Sequence, residues 1–490
     1  MAVPVTLTDG KTIIQFVNGK LPIDGAGGGG GSVDIDTVNA AVTMNVNVTN
    51  PTVTVDGTVN VGNDVTVNGT VNVGNAVTVN GAVTVNGKVE SVPALDSGTI
   101  DAFGRQRVSE LETIFSSSLT KDGGMWDWDL ELSGNTANIG WGWDNWTSSF
   151  PMTVNATHNG TIVRQTFRRF HYQPGKSQLI LMSCVMGAGE VGAVKSVGYG
   201  DVNDGIFWQS RDNVLALTVR SNTTNSISEF TVNQSDWNLD KLDGTGPSGF
   251  TLDPEKANIL FIDFEWLGVG RVRCGFVIDG QIIYAHAFNH ANSVSKVYMR
   301  SANLPLRYEL TCNGDHTVDN TLTQICATVA SEGGLHPVGV ARSAHTTSNV
   351  AVAAGAEPTV ILGIRLSNTN KDNQILLKNA ALYNDVDNAA VEYQLIMAPT
   401  VNGAFADSWL AATNGTNVER ITGNGAQTVN GGRVLMTDYA ATRSTEEVDK
   451  NILPELGYTI NGVPTELYLV ARRVRGNAVV QGAINWIDLR

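Results

Sequence analysis

Charge is scarce in this chain. Only 16% of its 490 residues are Asp, Glu, Lys or Arg, against roughly a quarter in ordinary soluble domains. Helices with long Glu/Lys faces are therefore not expected. Cysteine is nearly absent. Cys184, Cys274, Cys312 and Cys326 include no CxxC pair and make no disulfide framework in so long a chain. Buried free thiols are expected, with a Cys312–Cys326 pairing left open. No apolar run approaches the ~20 residues that cross a bilayer, and the start, MAVPVTLTDGKTII, lacks the basic and apolar regions of a signal peptide. No membrane insertion is expected. Clustered Lys and Arg are also missing. With a net charge of −15, the chain does not suit general nucleic-acid binding, which rests on phosphate neutralisation. Seven histidines are scattered along it, and no nucleophile elbow, phosphate loop or supported carboxylate pair is present. The expectation is no catalytic residue, no metal, no cofactor and no enzyme, although a glycosidase's carboxylate pair is not legible in one β-rich sequence.

What fills the gap is Asn, Thr, Ser and Gly. The 52 glycines beside 14 prolines fit many tight turns between short strands. Val3 to Val17 alternates around Asp9-Gly10, a hairpin signal, and residues 1–25 are read as a small β module. It is either an attachment piece or a loosely ordered terminus. Residues 26–50 hold the run Gly27 to Gly31, a tether with no side chains to pack.

Residues 51–93 carry a six-residue repeat: VTVDGT, VNVGND, VTVNGT, VNVGNA, VTVNGA, VTVNGK. Valine fills the first and third places, as Val53 and Val55, Val59 and Val61, Val65 and Val67, Val71 and Val73, Val77 and Val79, Val83 and Val85. In an antiparallel meander, Val55 would face Thr58 and Thr54 would face Val59, so successive valines would fall on opposite faces. A parallel coil stacks them all on one face. Six copies give one chain only about two triangular turns, whereas stacked repeats need about three units for a continuous core. Three chains winding together solve this, so the stalk points to a homotrimer, on the order of 30 Å long at ~4.8 Å per layer.

Behind Pro93 the aromatics appear. Ser109 to Thr120 has room for a short helix; the rest reads as strand after strand. ILFIDFEWL from Ile259, RVRCGFVI, the turn Asp279-Gly280 and QIIYAHAF form a meander. A break at Glu332-Gly333-Gly334 precedes TVILGIRLS, QILLKNAAL, AAVEYQLIM, ELYLVARRV and AVVQGAINWIDL. The fold class is mainly β: a stalk followed by two antiparallel β-sandwich or jelly-roll-like domains, residues 94–334 and 335–490.

Four constellations have a chemical reading. His286 and His290 have zinc-like spacing, but on a strand and without an HExxH glutamate, so a structural role is preferred. Asp201-Val202-Asn203-Asp204-Gly205 lacks the spacing of a calcium loop and reads as a turn. Arg164, Arg168, Arg169 and Lys176, among Phe167, Phe170, His171 and Tyr172, have the mixture that grips single-stranded nucleic acid; pairing within one domain or between subunits is preferred. Trp126, Trp128, Trp141, Trp143 and Trp146 could stack on sugars. WDWDLEL also alternates so that Trp126, Trp128, Leu130 and Leu132 share one face, and core packing is preferred. Gly268-Val269-Gly270 lacks the third glycine of a dinucleotide fingerprint.

The strings DAFGRQRVSE, RRFHYQPGKSQL, WNLDKLDGTGPSGFTLD, DFEWLGVGRVRCGFVIDG and NLPLRYEL give residues 94–490 a resemblance to a family of uncharacterised virion structural proteins of tailed bacteriophages. The resemblance implies a place on the particle as head fibre, decoration protein or tail fibre, and transfers no functional residue. The expected protein is a non-enzymatic, homotrimeric fibre or spike, held through its N-terminal segment by another virion protein of capsid, tail or baseplate. The alternative is an adhesin that recognises a host-surface glycan. A polysaccharide-degrading tailspike ranks below both.

Overall fold

The computed structural model describes residues 4–6, 13–15, 100–107, 110–121, 123–334, 338–369, 371–441, 445–449 and 456–489. The glycine tether and the repeat valines Val53 to Val85 lie outside them, so the stalk has no structural description. The chain divides into two units, Met1–Glu90 and Ser91–Arg490. In the first, Pro4–Thr6 runs antiparallel to Ile13–Gln15, with Pro4 opposite Gln15 and Thr6 opposite Ile13. That register is centred on Asp9-Gly10, the pair that signals a hairpin.

The second unit is built from antiparallel sheets, with no α-helix among the described residues. One sheet orders Ser228–Asn233, Val214–Ser221, Gly205–Arg211, Ala193–Gly200, Leu306–Asn313, Asn159–Thr166 and Trp128–Gly134. Its partner orders Gln281–Phe288, Val272–Ile278, Asn258–Phe264, Gln178–Val185, Asn320–Glu332, Phe150–Val154 and Ile139–Trp141. Period-2 alternation explains how they stack. Leu260, Ile262 and Phe264 of one sheet meet Val197, Tyr199, Tyr308 and Leu310 of the other in a single core. The meander closes on Asp279 (φ 50°) and Gly280 (φ 75°), whose left-handed backbones suit a two-residue hairpin loop. Gly333 and Gly334, both at positive φ, end the long strand Asn320–Glu332. Beyond them a five-stranded sheet around Val479–Leu489 packs on an eight-stranded sheet around Glu466–Arg475, with Trp486, Ile484, Tyr393 and Leu469 between them.

Two local expectations fail. The segment proposed for a helix is the strand Leu111–Ser118, paired with Asn320–Glu332. Phe115 and Ser117 turn inward at every second position, and the offered sheet edge outweighs any helical preference. The cysteines are all free, but Cys326 is exposed where the other three are buried. It lies in the register shift between Gln324 and Ala327, where a bulge turns a side chain out of the alternation.

The lead-in residues 100–107 are fastened to the outer face of the second sheet. Buried Asp263 accepts from Arg107, from buried Arg273, and from the Tyr284 hydroxyl at 2.8 Å. Arg273 also donates to the Ile100 carbonyl at 2.8 Å, and Arg107 pairs with Glu332 at 2.9 Å. Burial raises the Glu332 carboxyl to about 7, with Asp263 adding to the rise and Arg107 opposing it. Between its ordinary value of 4.5 and about 7, the folded protein keeps a proton that the unfolded chain has lost. This contribution to stability therefore falls as pH rises through that window. Urea midpoints at pH 5 and pH 8 should drop more for the wild type than for Glu332→Gln; parallel pH profiles would show that Glu332 does not carry the effect.

Candidate functional site

The tryptophan-rich segment does not pack as expected. Trp128 alone of the five is buried. Its strand begins at Trp128, while Trp126 sits in a turn where the amides of Asp127 and Trp128 both donate to the Gly124 carbonyl at 3.0 Å. The alternation therefore starts two residues later than the pattern suggests, and Leu130 and Leu132 reach the core while Trp126 stays 38% exposed.

Trp141, Trp143 and Trp146 belong to a hairpin at a sheet edge. Trp141 is opposite Met152, and Asp144 bridges Ser149. Asp144 then locks the tip: its carboxylate accepts from the Trp146 amide at 2.9 Å and the Thr147 hydroxyl at 2.7 Å. These hydrogen bonds hold its pKa below the usual carboxylate value. Trp141 stacks on Phe150 with centroids 6.1 Å apart, and the Trp143 indole N–H donates to the Leu119 carbonyl at 2.6 Å. Exposures are 53% for Trp141, 38% for Trp143 and 92% for Trp146. Among the described residues, Ile139–Trp141 ends its sheet with no further strand beside it. A signal for this was present in the sequence, because Asp144-Asn145 is turn chemistry in the middle of WGWDNW.

Beneath the hairpin lies Arg164, 3% exposed. Its guanidinium sits 3.5 Å from the Phe150 ring centroid and 5.8 Å from that of Trp128, and it donates to the Gly123 carbonyl. No carboxylate pairs with it among the described residues, and burial lowers its pKa. Cation–π contact stands in for a counter-ion. The same Gly123 carries Trp143 against it. Nothing in the sequence distinguishes Arg164 from the other basic residues of its segment.

Those others act as intramolecular braces, and Arg169 departs from the expected intra-domain pairing by also reaching the second sandwich. Arg169 pairs with Asp201 and, at 3.6 Å, with Asp372 of the second sandwich. Arg168 lies over Phe115 and Phe170, and Lys176 donates to the Gly333 carbonyl at 3.0 Å. Asp201 accepts the amides of Asn203 and Asp204 in the turn between two strands. His286 accepts the Asn238 amide at 3.2 Å and is lowered to about 4 by burial. His290 contacts the Gly270 carbonyl at 2.8 Å and stacks on Tyr298. Among the described residues no cluster of His, Cys, Asp and Glu could hold a metal, and no helix is long and apolar enough to cross a membrane.

Where the sandwiches meet, the loop 457–465 forms a wall. It closes on itself through Thr459 N–H to the Val463 carbonyl and Gly462 N–H to the Thr459 carbonyl, both 2.8 Å. Tyr458 N–H donates to the Phe167 carbonyl at 3.0 Å, and Ile460 N–H to Asp129 at 2.7 Å. On one side is a cleft of about 720 Å³ bordered by Trp126, Arg168 and Arg433. On the other is a smaller one of about 320 Å³, bordered by Glu131, Arg307 and Lys371.

Gly123 has φ +62°, and a Cβ there would lie 2.8 Å from the Cβ of Trp143. Gly123→Ala should cost about 1–3 kcal/mol and change the near-ultraviolet circular dichroism as Trp143 is displaced. An unchanged spectrum would contradict the close approach of Gly123 to Trp143.

No family model and no curated protein matches the chain. Among solved structures, a glycoside hydrolase family 16 endo-glucanase from Bacteroides ovatus aligns at 10% identity and TM-score 0.30, covering 44% of this chain and 99% of its own. A protein of unknown function from Shewanella oneidensis aligns at 9% and 0.30, covering 52% and 100%. The CBM2 module of an evolved Dit from Lactobacillus casei phage J-1 aligns at 9% and 0.27, covering 45% and 96%. Likenesses this slight carry no functional argument.

Proposed function

We propose that the chain is a non-enzymatic fibre or spike protein of a tailed-bacteriophage particle, homotrimeric through its stalk, whose first sandwich binds a host-surface glycan by the tryptophan hairpin. The observation that carries the binding role is Trp146, 92% exposed on a tip that Asp144 holds in one conformation. Leaving an indole in water forfeits its hydrophobic burial. A pre-ordered loop lowers the entropy lost on binding, and a flat ring suits the apolar face of a sugar. Trp141 and Trp143 extend the surface along the same edge. The particle role is supported by the resemblance of residues 94–490, and the trimer by the bookkeeping of valine faces in the repeat. The N-terminal module is the part assigned to another virion protein.

Binding of the intact protein to immobilised host cell-wall glycans should weaken about five- to tenfold in Trp146→Ala, with an unchanged thermal midpoint because the ring is almost fully exposed. Absence of wild-type binding to these glycans would sink the binding role. Light scattering should give three times the mass of one chain; a folded monomer would sink the trimer.

A further inference from the structure

We propose that the larger cleft between the sandwiches is a second saccharide site, selective for sugars that carry a carboxylate and independent of the tryptophan hairpin. Its volume of about 720 Å³ falls within the range of small-molecule sites. The two sandwiches supply opposite walls. Trp126 and Met125 come from the turn before the first sheet's edge strand, Val463 from the closed loop, and Val434 from the edge strand Arg433–Ala440. All four are exposed apolar side chains, so the cleft offers an indole face and aliphatic surface at once.

Local charge sets the ligand class. The chain as a whole carries −15, yet this lining has Arg168 on one wall and Arg433 on the other. Of its two acids, Glu466 is already held by Arg365 at 3.2 Å and by the Tyr468 hydroxyl at 2.6 Å. Asp127 and Arg168 are likewise engaged within the protein, which leaves Arg433 as the cation that faces a ligand. Arg433 has no ion-pair partner among the described residues, and a guanidinium in that position matches a carboxylate with two parallel hydrogen bonds. Long-range repulsion from the rest of the chain is screened beyond about 8 Å at physiological salt, which favours a short acidic unit over a polyanion.

The backbone is specialised at the same place. The register between Ala390–Met397 and Arg433–Ala440 shifts at Leu395/Ile396, a bulge that re-aims the side chains of Arg433, Val434 and Leu435. Ala398, also in the wall, holds φ at 48°, a left-handed conformation costly for alanine.

The test uses the full-length protein, trigalacturonate, and the fully methyl-esterified, uncharged trimer as control, with binding followed by calorimetry. Trigalacturonate should bind the wild type, about tenfold more weakly in Arg433→Gln and in Trp126→Ala, and unchanged in Trp146→Ala. Arg433 is exposed, so its variant should keep the wild-type thermal midpoint. Failure of trigalacturonate to bind, equal binding of the ester, or indifference to Arg433→Gln would each overturn the site. Loss of binding in Trp146→Ala alone would also overturn it, by moving the ligand to the hairpin and leaving the proposed function standing.

Discussion

The relation between the sandwiches depends on one buried guanidinium. Arg169 leaves the first sandwich between Asp201 of its own domain and Asp372 of the other, and its carbonyl accepts from Gln374. Burial alone would penalise all three charges. Desolvation pushes the Asp201 carboxyl up, but Arg169 and the amides of Asp204 and Asn203 together hold it below its usual value. Asn303 reinforces the joint by donating to the Asp372 carbonyl at 3.0 Å. Gly457 then fits against the Phe167 carbonyl, where any side chain would collide. The 457–465 loop that separates the two clefts is held beside this joint by its bonds to Phe167 and Asp129, and Phe167 and Thr459 border each cleft.

The scarcity of charge takes on a different meaning in three dimensions. Much of it is spent as cross-bracing. On the outer face of the first sheet, Arg211 and Arg220 share Glu229, and Arg307 reaches Gln165 and Glu309. Gln209 joins Ser196 and Thr218, which meets Thr231 on the next strand. Polar residues on such a face satisfy one another across strands. Arg365 does the same between Glu419 and Glu466 in the second sandwich.

Strands were legible wherever alternation ran unbroken between turn residues. ILFIDF, RVRCGFVI and QIIYAHAF appear as Asn258–Phe264, Val272–Ile278 and Gln281–Phe288, because period-2 burial and an Asp-Gly turn are local signals. The site was less legible, for three physical reasons. Trp126 and Trp128 look alike in sequence, but a turn separates their fates. Leu111–Ser118 is a strand because a partner more than two hundred residues away offers an edge. Arg433 and Trp126 face one cleft only after two domains dock, and no periodicity within either domain encodes that meeting.

The clamp on residues 100–107 has a mechanical consequence. Tension on the chain ahead of Ile100 is taken first by the Arg273 bond to the Ile100 carbonyl, then by the salt bridges of Arg107 to Asp263 and Glu332. Only after these yield does the load reach Leu111–Ser118 and its ladder to Asn320–Glu332. The charged knot thus serves as a strain relief, an anchor that keeps a pull on the leading end from unzipping the sandwich behind it.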